Sequence, residues 1–391
     1  KQQRSQLAPL LFLDPDEAAL VKRVLFILLA VMTVVPFLLS RLIGFSVLQL
    51  PEALAVGTGI TAKLACSGRY ISGFTDQQNL EDIITYSPAV GLVTLRHTTP
   101  DTIETDIAGF AKAAARYYPG LGCTLQYPEM LDLGSLKAPV LPRGQGPWPE
   151  GEERGSVTPG LQQLLDAIFI EDNAAGLDTR ALLVIHNGVI AAESYGQGIN
   201  SDTPLLGWSM GKSVTAILLG RMQAMGIVDV SETGLFNVWQ NDARSDISLL
   251  NLLQMTSGLD FEEPYIPGSD STRMLFFAPS AAEVAMESEL AQLPGTHFYY
   301  CSGTSNLLAR LAWDRLGADS QALLDFFATE LAKPLGLTGT IMELDASGVF
   351  VGSSYIYAPA RDWARLGLLM LNDGKAGGFR LLPEGWSTIA T

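Results

Sequence analysis

The spacing of apolar residues changes period several times along the chain, and each change predicts an element. Val214, Ile217, Leu218, Met222 and Met225 recur at helical spacing, and Gly226 closes that helix. Residues 161–170, 249–255, 320–331 and 361–371 carry the same period, stopped by Thr256-Ser257-Gly258, by Pro334 and by Asn372-Asp373-Gly374 after the last three. Residues 107–118 also read as a helix ending before Pro119. Two short apolar runs, 182–186 and 189–195, flank Asn187-Gly188, the signal of a type I′ turn, and predict a β-hairpin. His186 sits at its tip, as a solvated turn residue.

Near the start the pattern is different. Residues 1–23 are polar and of mixed charge, residues 24–40 are seventeen positions without a charge, and after Arg41 the apolar character resumes over 42–48. Seventeen residues is the lower limit for a spanning helix, and Pro36 would kink it, which membrane helices tolerate. Lys22-Arg23 before the run keep the N-terminus cytoplasmic. A cleaved signal peptide with Ala53-Leu54-Ala55 as its site, and a buried helix, compete with this reading. The run is long for a signal and the Ala-Leu-Ala distant, which favours an uncleaved anchor. The expected layout is a cytoplasmic segment 1–23, a transmembrane anchor 24–48, an extension and linker 49–156, and a catalytic domain 157–391. The linker is marked by Pro139, Pro142, Pro147, Pro149 and Pro159 with interspersed glycines.

Composition removes whole classes of function. Against 41 acidic residues stand 25 Lys and Arg, a net charge of −16, which repels phosphate backbones and argues against nucleic-acid binding. The three histidines (His97, His186, His297) and three cysteines (Cys66, Cys123, Cys301) are scattered, so no zinc spacing exists, and there is no phosphate-binding glycine loop. No metal or cofactor is expected. Beyond the membrane, Cys66 and Cys123 would be free to pair; two buried thiols are the other reading. Cys301 is expected to stay free and to line the site.

The candidate chemistry lies in Gly207-Trp208-Ser209-Met210-Gly211-Lys212-Ser213. Ser209 and Lys212, three apart at a helix start, share a face. A serine hydroxyl needs a base to become a nucleophile, and a lysine whose charged form is disfavoured can supply one. The same residues read Gly-x-Ser-x-Gly, the nucleophile elbow, which would require a preceding strand and a late histidine. Only Leu205-Leu206 follow Pro204, too short for a strand in this reading, and His297 is the sole downstream histidine. In the second constellation, Tyr299-Tyr300-Cys301-Ser302-Gly303, Tyr300 fits an acid–base group and Ser302 a polar partner, ahead of a helix starting near Ser305.

Together Trp208–Ser213, Leu252-Leu253-Gln254-Met255-Thr256-Ser257-Gly258-Leu259, Tyr300–Thr304, Pro334-Leu335-Gly336-Leu337 and Ala360-Arg361-Asp362-Trp363-Ala364-Arg365 resemble the serine β-lactamase-like hydrolases. That group joins class C β-lactamases, carboxypeptidases, esterases and 6-aminohexanoate-oligomer hydrolases; the last branch is the most similar. The resemblance covers 157–391. Residues 62–68 and 122–125 also resemble the N-terminal extension of membrane-anchored members. It implies an α/β fold, an antiparallel sheet flanked by helices beside a mostly helical domain, with the site between them. It further implies an acyl-enzyme on Ser209, proton transfer by Lys212 and Tyr300, and Ser302 as a substrate-binding residue. Ser302 stands where the family usually has Asn, which points away from β-lactams and toward a small amide or ester. A non-turnover binding or sensor protein of the penicillin-binding type is the alternative. The family's third box should follow Trp386, so the sequence is expected to be cut short at Thr391, with the sheet incomplete and the hairpin's edge and apolar face exposed.

Overall fold

This computed structural model describes residues 22, 23, 25, 26, 40, 41, 45–86, 88–155 and 158–390. The expected anchor over 24–48 falls mostly outside them; no helix among the described residues is long and apolar enough to cross a membrane. The chain divides into two compact units, 1–53 and 54–391. In the first, a 3-10 turn, Val47–Gln49, is closed by a reciprocal cap between Ser46 and Gln49.

The second unit begins with most of helix α1 (Leu50–Ser67), followed by α2 (Asp76–Ile84). A four-stranded antiparallel meander follows: β1 (Thr94–Thr99), β2 (Thr102–Ile107), β3 (Ala111–Tyr118) and β4 (Gly122–Leu125). The helix expected over 107–118 is thus a strand preceded by a tight turn. Ala108 and Gly109 both take positive φ, and Ala111 onward pairs with strands on both sides. An alanine-rich run favours helix in isolation, but here the paired, half-buried strand, with Ala115 fully covered, overrides that preference. The Cys66 and Cys123 sulfurs are joined, fastening α1 to β4 inside the core.

Helix α3 (Pro159–Ala174) packs on the hairpin β5 (Ala181–His186) and β6 (Val189–Tyr195). Asn187 and Gly188 both have positive φ at its turn, as the type I′ signal requires. Among the described residues this hairpin gains no third strand. A separate small sheet has the order β7 (Leu205–Leu206), β9 (Ile356–Ala358), β8 (Ile341–Met342), all antiparallel.

Helix α4 (Met210–Ala224) runs through the core, burying Val214, Ile217, Leu218, Leu219 and Met222. Gly220 is required on its far face. A Cβ there would stand 2.5 Å from the indole nitrogen of Trp386, which donates to the Ala216 carbonyl at 3.2 Å. Helices α5 (Leu249–Leu253), α6 (Asp270–Phe276) and α7 (Ala281–Met286) lead to α8 (Ser302–Arg315), which packs on α4 to α7. After α9 (Ser320–Phe327) a wide turn over Ala328–Ala332 continues into α10 (Lys333–Leu335), so Pro334 does not end the helical path. It sits in the first turn of α10, where its missing N–H costs nothing. Helix α11 (Ala360–Leu371) lies against β5.

The linker is clamped onto the catalytic part. Arg365 donates to the carbonyls of Pro149 and Gly151 at 2.9 and 2.7 Å, and Arg361 to that of Glu152 at 2.8 Å. Arg361 also grips the Glu193 carboxylate of β6 with two donors, at 3.0 and 2.6 Å.

The Cys66–Cys123 link closes a separation of 57 residues. Replacing both cysteines with alanine is expected to lower stability by about 2–5 kcal/mol, read as a drop in the urea midpoint of unfolding.

Candidate active site

The site is built at the N-terminus of α4. The Gly207 N–H donates to the Ile356 carbonyl at 2.8 Å, pinning the end of β7 beside β9. Trp208 then takes φ of 43°, a left-handed conformation that turns the chain abruptly into the helix. Ser209, the N-cap, has φ of −61° and an exposed side chain. One turn on, Lys212 is only 9% exposed and points back along the helix. Its Nζ lies 3.0 Å from Ser209 Oγ, 3.2 Å from the Ser353 carbonyl and 4.9 Å from the centre of the Tyr300 ring.

This geometry bears on the two readings of the box. Leu205–Leu206 does form a strand, paired with Ala358 and Tyr357, contrary to the expectation that it is too short. Two residues suffice because β9 supplies the partner. The unusual backbone, however, is at Trp208 rather than at the serine. His297 is exposed and lines a groove of about 400 Å³ with Asp260, Phe261 and Tyr299, a lining that does not include Ser209. His186 is exposed at the hairpin tip.

The Ser353 carbonyl is itself held from two helices. The Ser353 N–H donates to Asn306 Oδ1 at 3.2 Å, and Asn306 Nδ2 donates to Ser353 Oγ at 3.0 Å. The Thr215 hydroxyl of α4 donates to the neighbouring Gly352 carbonyl at 3.0 Å.

Tyr300 is 43% exposed. It is aimed by the turn after α5, where Met255 adopts φ of 54° and its carbonyl accepts the Tyr299 N–H at 2.9 Å. That contact explains the 252–259 motif: it sets the backbone from which Tyr300 reaches over Lys212. Ser302 is turned toward the protein interior. Its side chain is fully buried, with Oγ–H donating to Glu263 Oε1 at 2.6 Å and its N–H donating to Glu263 Oε2 at 2.7 Å. Helix α8 therefore starts at Ser302, earlier than expected, because a carboxylate caps its first amide and complements its dipole. The proton of this hydroxyl is thus committed to Glu263, beside the first turn of α8. The Tyr265 hydroxyl lies 3.5 Å from it, on a side chain that is half exposed. Cys301 is free, as expected, but buried, and that burial pushes its thiol up to about 12. It packs in the core and does not line the site.

The 360–365 motif is structural. Beyond the Arg361 contacts, Asp362 accepts the Gly339 N–H at 3.0 Å and pairs with Arg365 at 2.8 Å; burial pushes its carboxyl above the usual range. Asn306, Ser353 and Glu263 are absent from the residues singled out in the sequence. A buried asparagine inside a helical pattern was the available signal for Asn306; Glu263 is hidden in the acidic run Asp260-Phe261-Glu262-Glu263.

A family profile described as Beta-lactamase matches residues 165–384, more than half of the chain, and the chain belongs to that family. It is 27% identical over 221 residues to the 6-aminohexanoate-dimer hydrolase of Paenarthrobacter ureafaciens, covering 53% of this chain and 56% of that one. The chain thus spans little more than half the length of this curated relative. Among solved structures, a provisionally named 6-aminohexanoate-dimer hydrolase from Bacillus anthracis is 20% identical, with a TM-score of 0.49 over 56% of this chain and 61% of its own. A provisionally named beta-lactamase from Bacteroides dorei is 22% identical, with a TM-score of 0.48 over 57% and 68%.

If Ser302 serves only α8, Ser302→Ala should cost about 1 kcal/mol of stability and leave the KM for an ester substrate unchanged. Glu263→Ala, which strands both donors, should cost more, about 1–3 kcal/mol. Urea melts and steady-state kinetics on the full-length protein separate the two effects.

Proposed function

We propose that the protein is a serine hydrolase that cleaves a small amide or ester through an acyl-enzyme on Ser209. The observation that carries this reading is the 3.0 Å approach of Lys212 Nζ, on a nearly buried side chain, to an exposed serine hydroxyl. Lys212 takes the Ser209 proton as Oγ bonds to the substrate carbonyl carbon. The Ser353 carbonyl accepts one N–H of that side chain and holds it beside Ser209. The bond to the leaving amine or alcohol then breaks, and the Tyr300 hydroxyl gives that group a proton and is re-protonated through Lys212. Water attacks the acyl carbon by the reverse path, releasing the acid and restoring Ser209. The Ser209 N–H, at a helix start where the first amides have no intrahelical acceptor, is one oxyanion donor, worth roughly 3–4 kcal/mol in such sites. The name of the Paenarthrobacter relative favours an amide substrate.

We further propose that this activity lies outside the cytoplasm, on a domain tethered by the segment 24–48. The uncharged run after Lys22-Arg23 and the Cys66–Cys123 link, which an oxidising compartment favours, support this.

A fluorophosphonate probe should label the full-length protein on Ser209, mapped by peptide mass spectrometry, and Ser209→Ala should remove the label. Lys212→Ala should slow p-nitrophenyl acetate turnover by about 100- to 10,000-fold, while His297→Ala keeps most of it. The reverse pattern in the last two variants would sink the lysine mechanism. Protease added to intact spheroplasts should digest the catalytic domain; full protection would refute the topology.

A further inference from the structure

A buried ion pair far from the nucleophile bears on the same catalytic lysine. Lys63 of α1 and Glu343, just beyond β8, are paired with side chains 3% and 0% exposed. Burial pushes the Lys63 ammonium below, and the Glu343 carboxyl above, their ordinary values, so charges in this position need saturated hydrogen bonding to persist. They have it. Lys63 Nζ donates to Glu343 Oε2, to the Cys123 carbonyl at 2.7 Å and to Ser67 Oγ at 3.3 Å, using all three of its hydrogens. Glu343 Oε1 accepts the Ser67 hydroxyl at 2.7 Å and the Cys123 N–H at 2.6 Å. Two of the partners, Ser67 and Cys123, adjoin or belong to the covalent link between α1 and β4. The extension therefore offers Glu343 a rigid socket.

Glu343 passes that rigidity on. Its N–H donates to the Tyr355 carbonyl at 3.0 Å, and its carbonyl accepts the Val351 N–H at 3.0 Å. Both limbs of the 344–354 turn are thus fastened to one residue. Lys63 Nζ also lies 4.3 Å from the centre of the Tyr355 ring, whose hydroxyl donates to the Leu275 carbonyl at 3.0 Å. Between Val351 and Tyr355 sits Ser353, whose carbonyl receives Lys212.

We propose that Lys63 and Glu343 are positioning residues of the active site: the N-terminal extension, through this pair, sets the place of the Ser353 carbonyl and with it the orientation of the Lys212 amine. The inference rests on the reading of Ser209 and Lys212 as nucleophile and base. It makes the extension part of the catalytic machinery and not only a spacer before it.

The test compares full-length wild type with Lys63→Met, Glu343→Gln and the double variant K63M/E343M. The readouts are the second-order rate of fluorophosphonate labelling at Ser209, kcat and KM for p-nitrophenyl acetate, and Tm. Lys63→Met strands a buried carboxylate and should lose stability, whereas the double variant replaces the pair with packed apolar groups and should recover Tm. Expected for the double variant is a labelling rate and kcat roughly 10- to 100-fold below wild type, with KM unchanged, at a temperature where it is fully folded. A double variant that regains Tm and labels within about twofold of wild type overturns the proposal, because the pair is then only a fold element. Should the double variant not fold, Ser67→Ala takes its place. It removes one donor from Glu343 and one acceptor from Lys63 while leaving both charges. Slower labelling without a matching fall in Tm supports positioning, and an unchanged rate overturns it. Wild type that never labels on Ser209 would instead refute the underlying reading of the site, a result separable from any of these.

Discussion

A lysine amine placed under a protein surface has to be held from several directions at once, and in this chain most of the catalytic unit contributes to holding one. Lys212 is carried by a core helix, faces the Ser209 hydroxyl above it, rests one N–H on the Ser353 carbonyl, and lies under the Tyr300 ring. Each neighbour comes from a different stretch of sequence and has its own support: Asn306 for Ser353, the Met255 turn for Tyr300, and the pinned Gly207 for Ser209. In the proposed mechanism, moving any of these by about an ångström would displace the base from the serine, so the proposed chemistry calls for rigidity around the lysine.

The parts of this arrangement that were legible in the sequence are those governed by local rules. The α4 helix, the Asn187-Gly188 hairpin and the Ser209–Lys212 spacing follow from periodicity and turn chemistry, and the structure has all three. What was not legible depends on contacts made across long separations. The run 107–118 has helical composition, yet two partner strands make it a strand. Leu205–Leu206 is a strand only because Tyr357 and Ala358 lie beside it, some 150 positions later. Ser302 occupies the expected place after Tyr300, but whether a hydroxyl faces substrate or protein is decided by Glu263, which no spacing rule connects to it. Ser353 was invisible for the same reason: it acts through a backbone carbonyl, which carries no sequence signature.

Motifs that carry a family resemblance are therefore not all chemical. The Ala360–Arg365 stretch, so distinctive in sequence, is a clamp that ties the linker and hairpin to α11. The 252–259 stretch is a turn that supports a tyrosine it does not contain. In the proposed mechanism it is the Ser-x-x-Lys box and Tyr300 that supply the reacting groups.

The Glu263 carboxylate under Ser302 has a consequence for what position 302 can hold. In the more usual form of this box an asparagine stands at the serine's place, and its larger amide offers two N–H donors where the hydroxyl offers one O–H. Written alone into this chain, that asparagine would meet a fully enclosed space and a carboxylate already bound to the first amide of α8. Written after a change at position 263, it would meet neither the same crowding nor the same charge. The two positions are therefore coupled: Glu263, thirty-nine positions upstream, holds both the hydroxyl and the N–H that residue 302 presents, and a change at either alters what the other can bind.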